Sequence, residues 1–179
     1  MIYTRTKAEA DKFCGYVSSK IGQYSGGGLT GGHKRVDKVS GDMSTEEQQA
    51  VIDEFARGSS SWIRVLFASV VIGMGTHLVC LYNVWRIGQP STLLAWVQEL
   101  GRAGRDGGDS EALLFFCRSG TTWKSCMKQF CTSNRCLRLQ IVLHFDPTVQ
   151  EEVIRAELLE AGFEYCCYVC DDISEQKIN

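Results

Sequence analysis

The chain has 179 residues, 44% of them hydrophobic and 22% charged, enough for one core of ordinary domain size plus a small appendage. Nineteen Lys and Arg against 21 Asp and Glu leave a net charge of −2, which excludes a polybasic protein that holds nucleic acid by global charge. Two prolines and the lack of a long polar tract exclude a disordered chain, and the length is too short for a complete two-domain motor.

In chain order, Ile2-Tyr3-Thr4 predicts a short strand. Thr6 to about Ser19 predicts a helix with Phe13, Tyr16 and Val17 at i, i+3, i+4 on one face. The run Ser25-Gly26-Gly27-Gly28-Leu29-Thr30-Gly31-Gly32 predicts a loop. It is not a phosphate loop of the GxxxxGK[ST] kind, because His33-Lys34-Arg35 follow Gly32 and the hydroxyl that would hold magnesium is missing. Val36 to Val39 predicts a second strand. Ser44 with Glu47 three residues on predicts a capping box, and Gly58 a helix stop.

Val65-Leu66-Phe67-Ala68 and Val79-Cys80-Leu81-Tyr82 are continuous apolar runs, the pattern of strands covered on both faces. No Asp, Glu, Lys or Arg occurs between Arg64 and Arg86, a stretch long enough by count to cross a membrane. Gly73-Met74-Gly75-Thr76-His77 in its middle favours two buried strands around a glycine turn instead, and no membrane partner is expected. Thr92 to Arg102 predicts a helix and Ala112 to Phe116 a strand. Strand and helix alternate, which predicts an α/β fold with a parallel sheet. Beyond Thr121 the pattern is helical, over Leu137 to Phe145 and Val149 to Leu159.

Gln98-Glu99-Leu100-Gly101-Arg102-Ala103-Gly104-Arg105-Asp106-Gly107 carries the sharpest chemical signal. At helical spacing Gln98, Arg102 and Arg105 fall on one side. Two guanidiniums on one edge suit a polyphosphate. Gly101 and Gly104 each cost a helix about 1 kcal/mol relative to Ala, which fits a close approach by a backbone or a phosphate. An ordinary helix C-terminus with favourable cations and a glycine stop fits the same residues.

Nine cysteines, an odd number, and no apolar segment after Arg5 and Lys7 lead us to expect thiols of the nucleus, or of the cytoplasm in a bacterium. Cys166, Cys167 and Cys170 cluster, with Cys136 thirty residues before the first of them. Several converging thiols suit tetrahedral zinc, while Cys167-x-x-Cys170 also allows a redox pair. Cys14, Cys80, Cys117, Cys126 and Cys131 are expected to be buried thiols, and His144 a helix-surface residue.

QELGRAGRDG closely resembles the sixth motif of the RecQ family of DNA helicases, ASVVIGMG (Ala68 to Gly75) its fifth, and IYTRTK (Ile2 to Lys7) its fourth. The likeness runs in the family's order from Ile2 to about Cys170. It implies a RecA-like helicase C-terminal lobe over residues 1–131 and a small helical zinc-binding subdomain over 132–179. The activity it implies is ATP-dependent 3′→5′ unwinding of DNA, in which ATP and Mg sit between this lobe and a first lobe that carries the phosphate loop.

By position, the resemblance makes Arg105 the arginine finger, Arg102 its partner toward the γ-phosphate and Gln98 the nucleotide sensor. Gly73, Met74 and Gly75 couple nucleotide to strand movement, with Met74 against DNA. His77 stands where members place an acidic or amide group near the ribose. Ser69, Thr4 and Arg5 are the other DNA-backbone candidates, on a single strand or fork. The zinc ligands it implies are Cys136, Cys166, Cys167 and Cys170, with Glu164 the alternative to Cys166 and a degenerate, metal-free patch the competing reading. No GKS or GKT occurs in these residues, so the chain alone is expected not to hydrolyse ATP. A catalytically inactive helicase-like module that binds DNA or protein is the alternative.

Overall fold

Ile2–Tyr3 (β1), Val36–Val39 (β2), Val65–Ala68 (β3), Asn83–Ile87 (β4) and Glu111–Phe115 (β5) build one sheet in the order β2-β3-β1-β4-β5, and every pairing is parallel. The computed structural model describes residues 1–24, 34–69, 78, 81–116, 125–162 and 167–170. Two compact units divide the chain, Met1–Thr122 and Trp123–Asn179. The boundary expected from sequence lies at residue 131, and the helix Ser125–Thr132 falls in the second unit.

Alternation along β3 shows why the central strands read as continuous apolar runs. Phe67 faces one side of the sheet with Ile2, Val36 and Ala10. Leu66 and Ala68 face the other with Tyr3, Val39, Ile52 and Val84. The first side is covered by α1 (Lys7–Tyr24), which presents Ala10, Phe13, Cys14, Val17 and Ile21. Tyr16, expected on that face, is instead 61% exposed, with the Lys20 ammonium 5.7 Å from its ring centroid. The helix turns about its axis to bring Cys14 and Ile21 inward, and Tyr16 is carried out.

The second side is covered by α2 (Thr45–Ala56), through Val51, Ile52 and Phe55. Its capping box forms as expected: the Glu47 N–H donates to Ser44 Oγ at 3.1 Å, and the Ser44 N–H donates to Glu47 Oε2 at 2.8 Å. Helix α3 (Leu93–Leu100) follows β4 and starts at Thr92, whose hydroxyl accepts from the Ala95 N–H.

The fourth strand departs from expectation. It runs over Asn83–Ile87; of the predicted run Val79-Cys80-Leu81-Tyr82, Leu81 and Tyr82 precede it, and the Glu111 N–H of β5 donates to the Tyr82 carbonyl at 2.7 Å. Register explains this: Ile2 and Tyr3 align with Trp85 and Arg86, and Asn83 through Ile87 align with Glu111 through Phe115. A central strand holding Asn83 and Arg86 is tolerated because a carboxylate meets Arg86, as described below. Leu78 and Leu81 are buried in the core ahead of the strand, and Val79 and Cys80 lie outside the described residues. Among the described residues no helix is long and apolar enough to cross a membrane.

In the second unit α4 (Ser125–Thr132), α5 (Leu137–Phe145) and α6 (Glu151–Glu160) follow one another, and residues 168–170 are again helical. Leu139 and Ile154 are buried together with Cys136, and Leu143, Val149, Leu158, Cys167 and Cys170 pack against them. His144 is exposed on α5 and Cys131 is buried, as expected. Cys14 is half-buried, and Cys117 lies outside the described residues with Cys80.

Candidate functional site

Helix α3 ends at Leu100, and residues 101–106 form successive turns. Gln98, Arg102 and Arg105 therefore do not share one helical side. Gln98 and Arg105 are exposed, whereas Arg102 is buried at 5% exposure. Arg105 donates through Nε to the Gly101 carbonyl at 3.1 Å, which ties one edge of its guanidinium to the helix end while the side chain stays exposed.

Gly104 explains one of the two glycines. Its φ is +66, and a Cβ there would fall 2.5 Å from Ser110 Oγ and 3.1 Å from the Gly108 carbonyl. Its N–H donates to the Leu81 carbonyl at 2.9 Å. The close approach foreseen at this glycine is thus made by the chain's own backbone, which anchors the turn that carries Arg105. Gly101, by contrast, caps the helix in an ordinary right-handed conformation.

Arg102 joins a charged cluster inside the lobe. Arg86 Nη1 donates to Glu99 Oε1 at 2.5 Å, with side-chain exposures of 11% and 2%. Burial pushes the Glu99 carboxyl up to about 7, against the opposing pull of Arg86 and Arg102. Burial also pushes Tyr3 up to about 12, again opposed by Arg102. Among the described residues Glu99 Oε2 is buried without a hydrogen-bond partner. Sequence reading passed over Glu99 and Arg86, although Leu93, Trp96 and Glu99 recur at i, i+3, i+6 and all three are buried. That spacing puts a carboxylate on the apolar stripe, where it needs a cation.

The carboxyl ends of β1, β2 and β3 bring Thr4, Ser40 and Ser69 side by side, at the edge where ligands of open parallel sheets bind. The Thr4 N–H donates to Ala68 O at 2.9 Å and the Ser69 N–H to Val39 O at 3.2 Å. Thr4 is buried and its hydroxyl donates to Thr6 O, while Ser69 is half-exposed. Arg5 is exposed, and its Nη2 meets Glu9 Oε1 at 2.5 Å. Its stem lies over Gly88, whose φ is +82 and where a Cβ would come within 2.6 Å of Arg5 Cδ. Gly73, Met74, Gly75 and His77 lie outside the described residues.

In the second unit the Sγ atoms of Cys136, Cys167 and Cys170 lie within 4.8 Å of one another. Cys167 and Cys170 are 3.6 Å apart, and the Leu137 N–H donates to Cys167 Sγ at 3.4 Å. Tetrahedral zinc with Zn–S bonds of about 2.3 Å sets sulfurs about 3.8 Å apart, so this spacing fits the ion after small adjustments. Burial, then the neighbouring thiols, push Cys170 up to about 11. A thiol raised in this way stays protonated near neutral pH unless a bound cation takes the proton's place. Cys166 and Glu164, the alternatives for a further ligand, lie outside the described residues.

A five-stranded parallel sheet clothed by helices on both faces, with a GRAGR turn behind its fourth strand, is a RecA-like helicase C-terminal lobe. The chain belongs to the helicase conserved C-terminal domain family, whose sequence model matches residues 1–107. It is similar to the ATP-dependent RNA helicase RhlB of Escherichia coli O157:H7, 25% identical over 117 residues that make up 65% of this chain and 24% of that protein. RhlB of Shigella boydii matches to the same extent. The match thus spans about a quarter of the length of these relatives. Among solved structures, Mycobacterium smegmatis helicase Lhr, bound to ssDNA and AMP-PNP, shares the fold with a TM-score of 0.54 at 18% identity, over 64% of this chain and 14% of that one.

Proposed function

We propose that the chain is the second RecA-like lobe of an ATP-dependent 3′→5′ DNA helicase of the RecQ type, followed by a zinc-binding subdomain. The observation that carries this reading is the conjunction of an exposed Arg105 on a turn anchored by Gly104 with a three-thiol cluster in the following unit. An exposed guanidinium on a fixed turn suits the arginine finger, which stabilises charge on a transferring phosphoryl group and contributes on the order of 10³–10⁵ in rate.

In this reading the phosphate loop and most of the Mg site come from a first lobe outside these residues. Gln98, exposed one turn before Arg102, faces the nucleotide. Arg102 has to leave the Glu99 cluster to reach a γ-phosphate. Ser69 and Arg5 meet the DNA backbone from the carboxyl edge of the sheet. Thr4, with its hydroxyl turned inward, acts through its backbone. Gly73, Met74, Gly75 and His77 complete the nucleotide and DNA contacts, and zinc holds Cys136, Cys167 and Cys170 together.

A second reading, an RNA helicase lobe, is favoured by the RhlB similarity. The experiment that separates them is unwinding by the complete two-lobed enzyme of matched duplexes with 3′ or 5′ tails, in DNA and in RNA. Opening of the 3′-tailed DNA duplex is expected, and opening of RNA alone, or of 5′-tailed DNA alone, overturns the DNA reading. The isolated chain is expected to bind DNA without ATP turnover. DNA-stimulated turnover by that chain contradicts the division of labour between lobes.

A further inference from the structure

Strand β4 is hydrogen-bonded on both edges, yet it carries a cation where such a strand ordinarily carries an apolar side chain. Arg86 lies in register between Tyr3 of β1 and Leu114 of β5, and its side chain is 11% exposed. Three acceptors converge on its guanidinium. Nη1 donates to Glu99 Oε1 at 2.5 Å, Nε donates to the Gly88 carbonyl at 3.1 Å, and Nη2 lies 3.5 Å from the Gln89 carbonyl. Gly88 and Gln89 lead from the strand toward α3, and Glu99 is in the last turn of that helix. One guanidinium therefore holds both ends of the β4–α3 unit.

The residues after the helix hang from the end so fixed. The Arg102 N–H donates to the Glu99 carbonyl at 3.3 Å, and the Ala103 N–H to the Leu100 carbonyl at 3.0 Å. Beyond them the Gly104 N–H reaches the Leu81 carbonyl, just ahead of β4. The turn that carries Arg105 is thus tied twice to one strand segment, through Arg86 and through Leu81. Burying an ion pair is a poor way to gain stability, since apolar residues of similar volume often do as well. A planar guanidinium does what those residues cannot: its donors leave in fixed directions and so set the place of each acceptor.

We propose that Arg86, acting through Glu99, is the positioning residue that sets the Arg105 turn for phosphoryl transfer. The proposal rests on the reading of Arg105 as an arginine finger and adds to it a residue outside the GRAGR segment. A displacement of about 1 Å at a catalytic group can cost about 10²-fold in rate, so a clamp of this kind acts on kcat.

The test uses the complete two-lobed enzyme and two substitutions that keep the charges. Arg86→Lys retains the cation without the fork. Glu99→Asp retains the carboxylate but withdraws it from the guanidinium by one methylene. Each is expected to lower kcat for DNA-stimulated ATP turnover by about 10–100-fold, with KM for ATP and Kd for DNA close to wild type. In an Arg105→Ala background either substitution should add little further loss, because groups that act as a unit are not additive. Ile52→Val, in the core on α2, perturbs packing alone and should keep wild-type kcat. Far-UV circular dichroism verifies that each variant is folded. Wild-type kcat in folded Arg86→Lys or Glu99→Asp, an equal loss in Ile52→Val, or losses that multiply with that of Arg105→Ala, overturns the assignment alone. Wild-type turnover in Arg105→Ala overturns the finger reading and the assignment together.

Discussion

Two clusters of ionisable groups, one in each unit, differ in the chemistry of their members. In the lobe, Glu99 has its cations built in: Arg86 at 2.5 Å and Arg102 nearby. In the second unit, three thiols converge, and burial, then the neighbouring thiols, push Cys170 up to about 11. The first cluster is built from the chain's own charges beneath the arginine-bearing turn. The second gathers three soft donors within reach of one ion, the arrangement of a candidate metal site. Convergence of one donor type is thus more informative about a ligand than a buried ion pair, which the fold itself uses.

Breaking the comparison at its metal end should have the largest effect. Cys136→Ala removes the most buried of the three thiols. It is expected to take zinc from one ion per chain to near zero by elemental analysis and to unfold the second unit in the presence of zinc, because binding and folding are coupled at such sites. Breaking the lobe's cluster comes next. Arg86→Ala leaves Glu99 buried without its partner and should cost about 3 kcal/mol in denaturant unfolding.

The same cluster has a pH signature. Glu99 titrates at about 7 in the folded lobe, against an ordinary value of 4.5. The folded state therefore holds more protons than the unfolded one between those values, and stability falls as pH rises through that window. Glu99→Gln is expected to flatten that slope in urea titrations between acidic and neutral pH.

Gly104→Ala should cost about 1–2 kcal/mol from its left-handed backbone, with the crowding by Ser110 and Gly108 adding to it. Gly107→Ala, also left-handed but with nothing within 4 Å of the added Cβ, should cost less. Smallest is Ser44→Ala, about 1 kcal/mol from loss of the α2 cap, a perturbation remote from both clusters.

Much of the lobe was legible because local rules and tertiary packing agree there. The Ser44–Glu47 box, the Thr92 start of α3 and the apolar run of β3 all formed where side-chain chemistry put them. The fourth strand was misplaced because Asn83 and Arg86 look like loop residues, and only the register with β1 and β5 reveals them as strand. Helical spacing likewise put Arg102 beside Arg105, but spacing cannot say that the helix ends at Leu100 and that Arg102 turns toward Glu99. Thiol convergence was foreseen for Cys136, Cys167 and Cys170, and they meet because Leu139 of α5 and Ile154 of α6 bury into one cluster with them.

The most direct test of the account is ATP turnover by the complete two-lobed enzyme carrying Arg105→Ala. Arg105 is exposed, and among the described residues its side chain bonds the Gly101 carbonyl, so the variant should fold within about 0.5 kcal/mol of wild type. The account predicts a fall in DNA-stimulated turnover of about 10³-fold or more, with DNA binding retained. Turnover at the wild-type rate would contradict it.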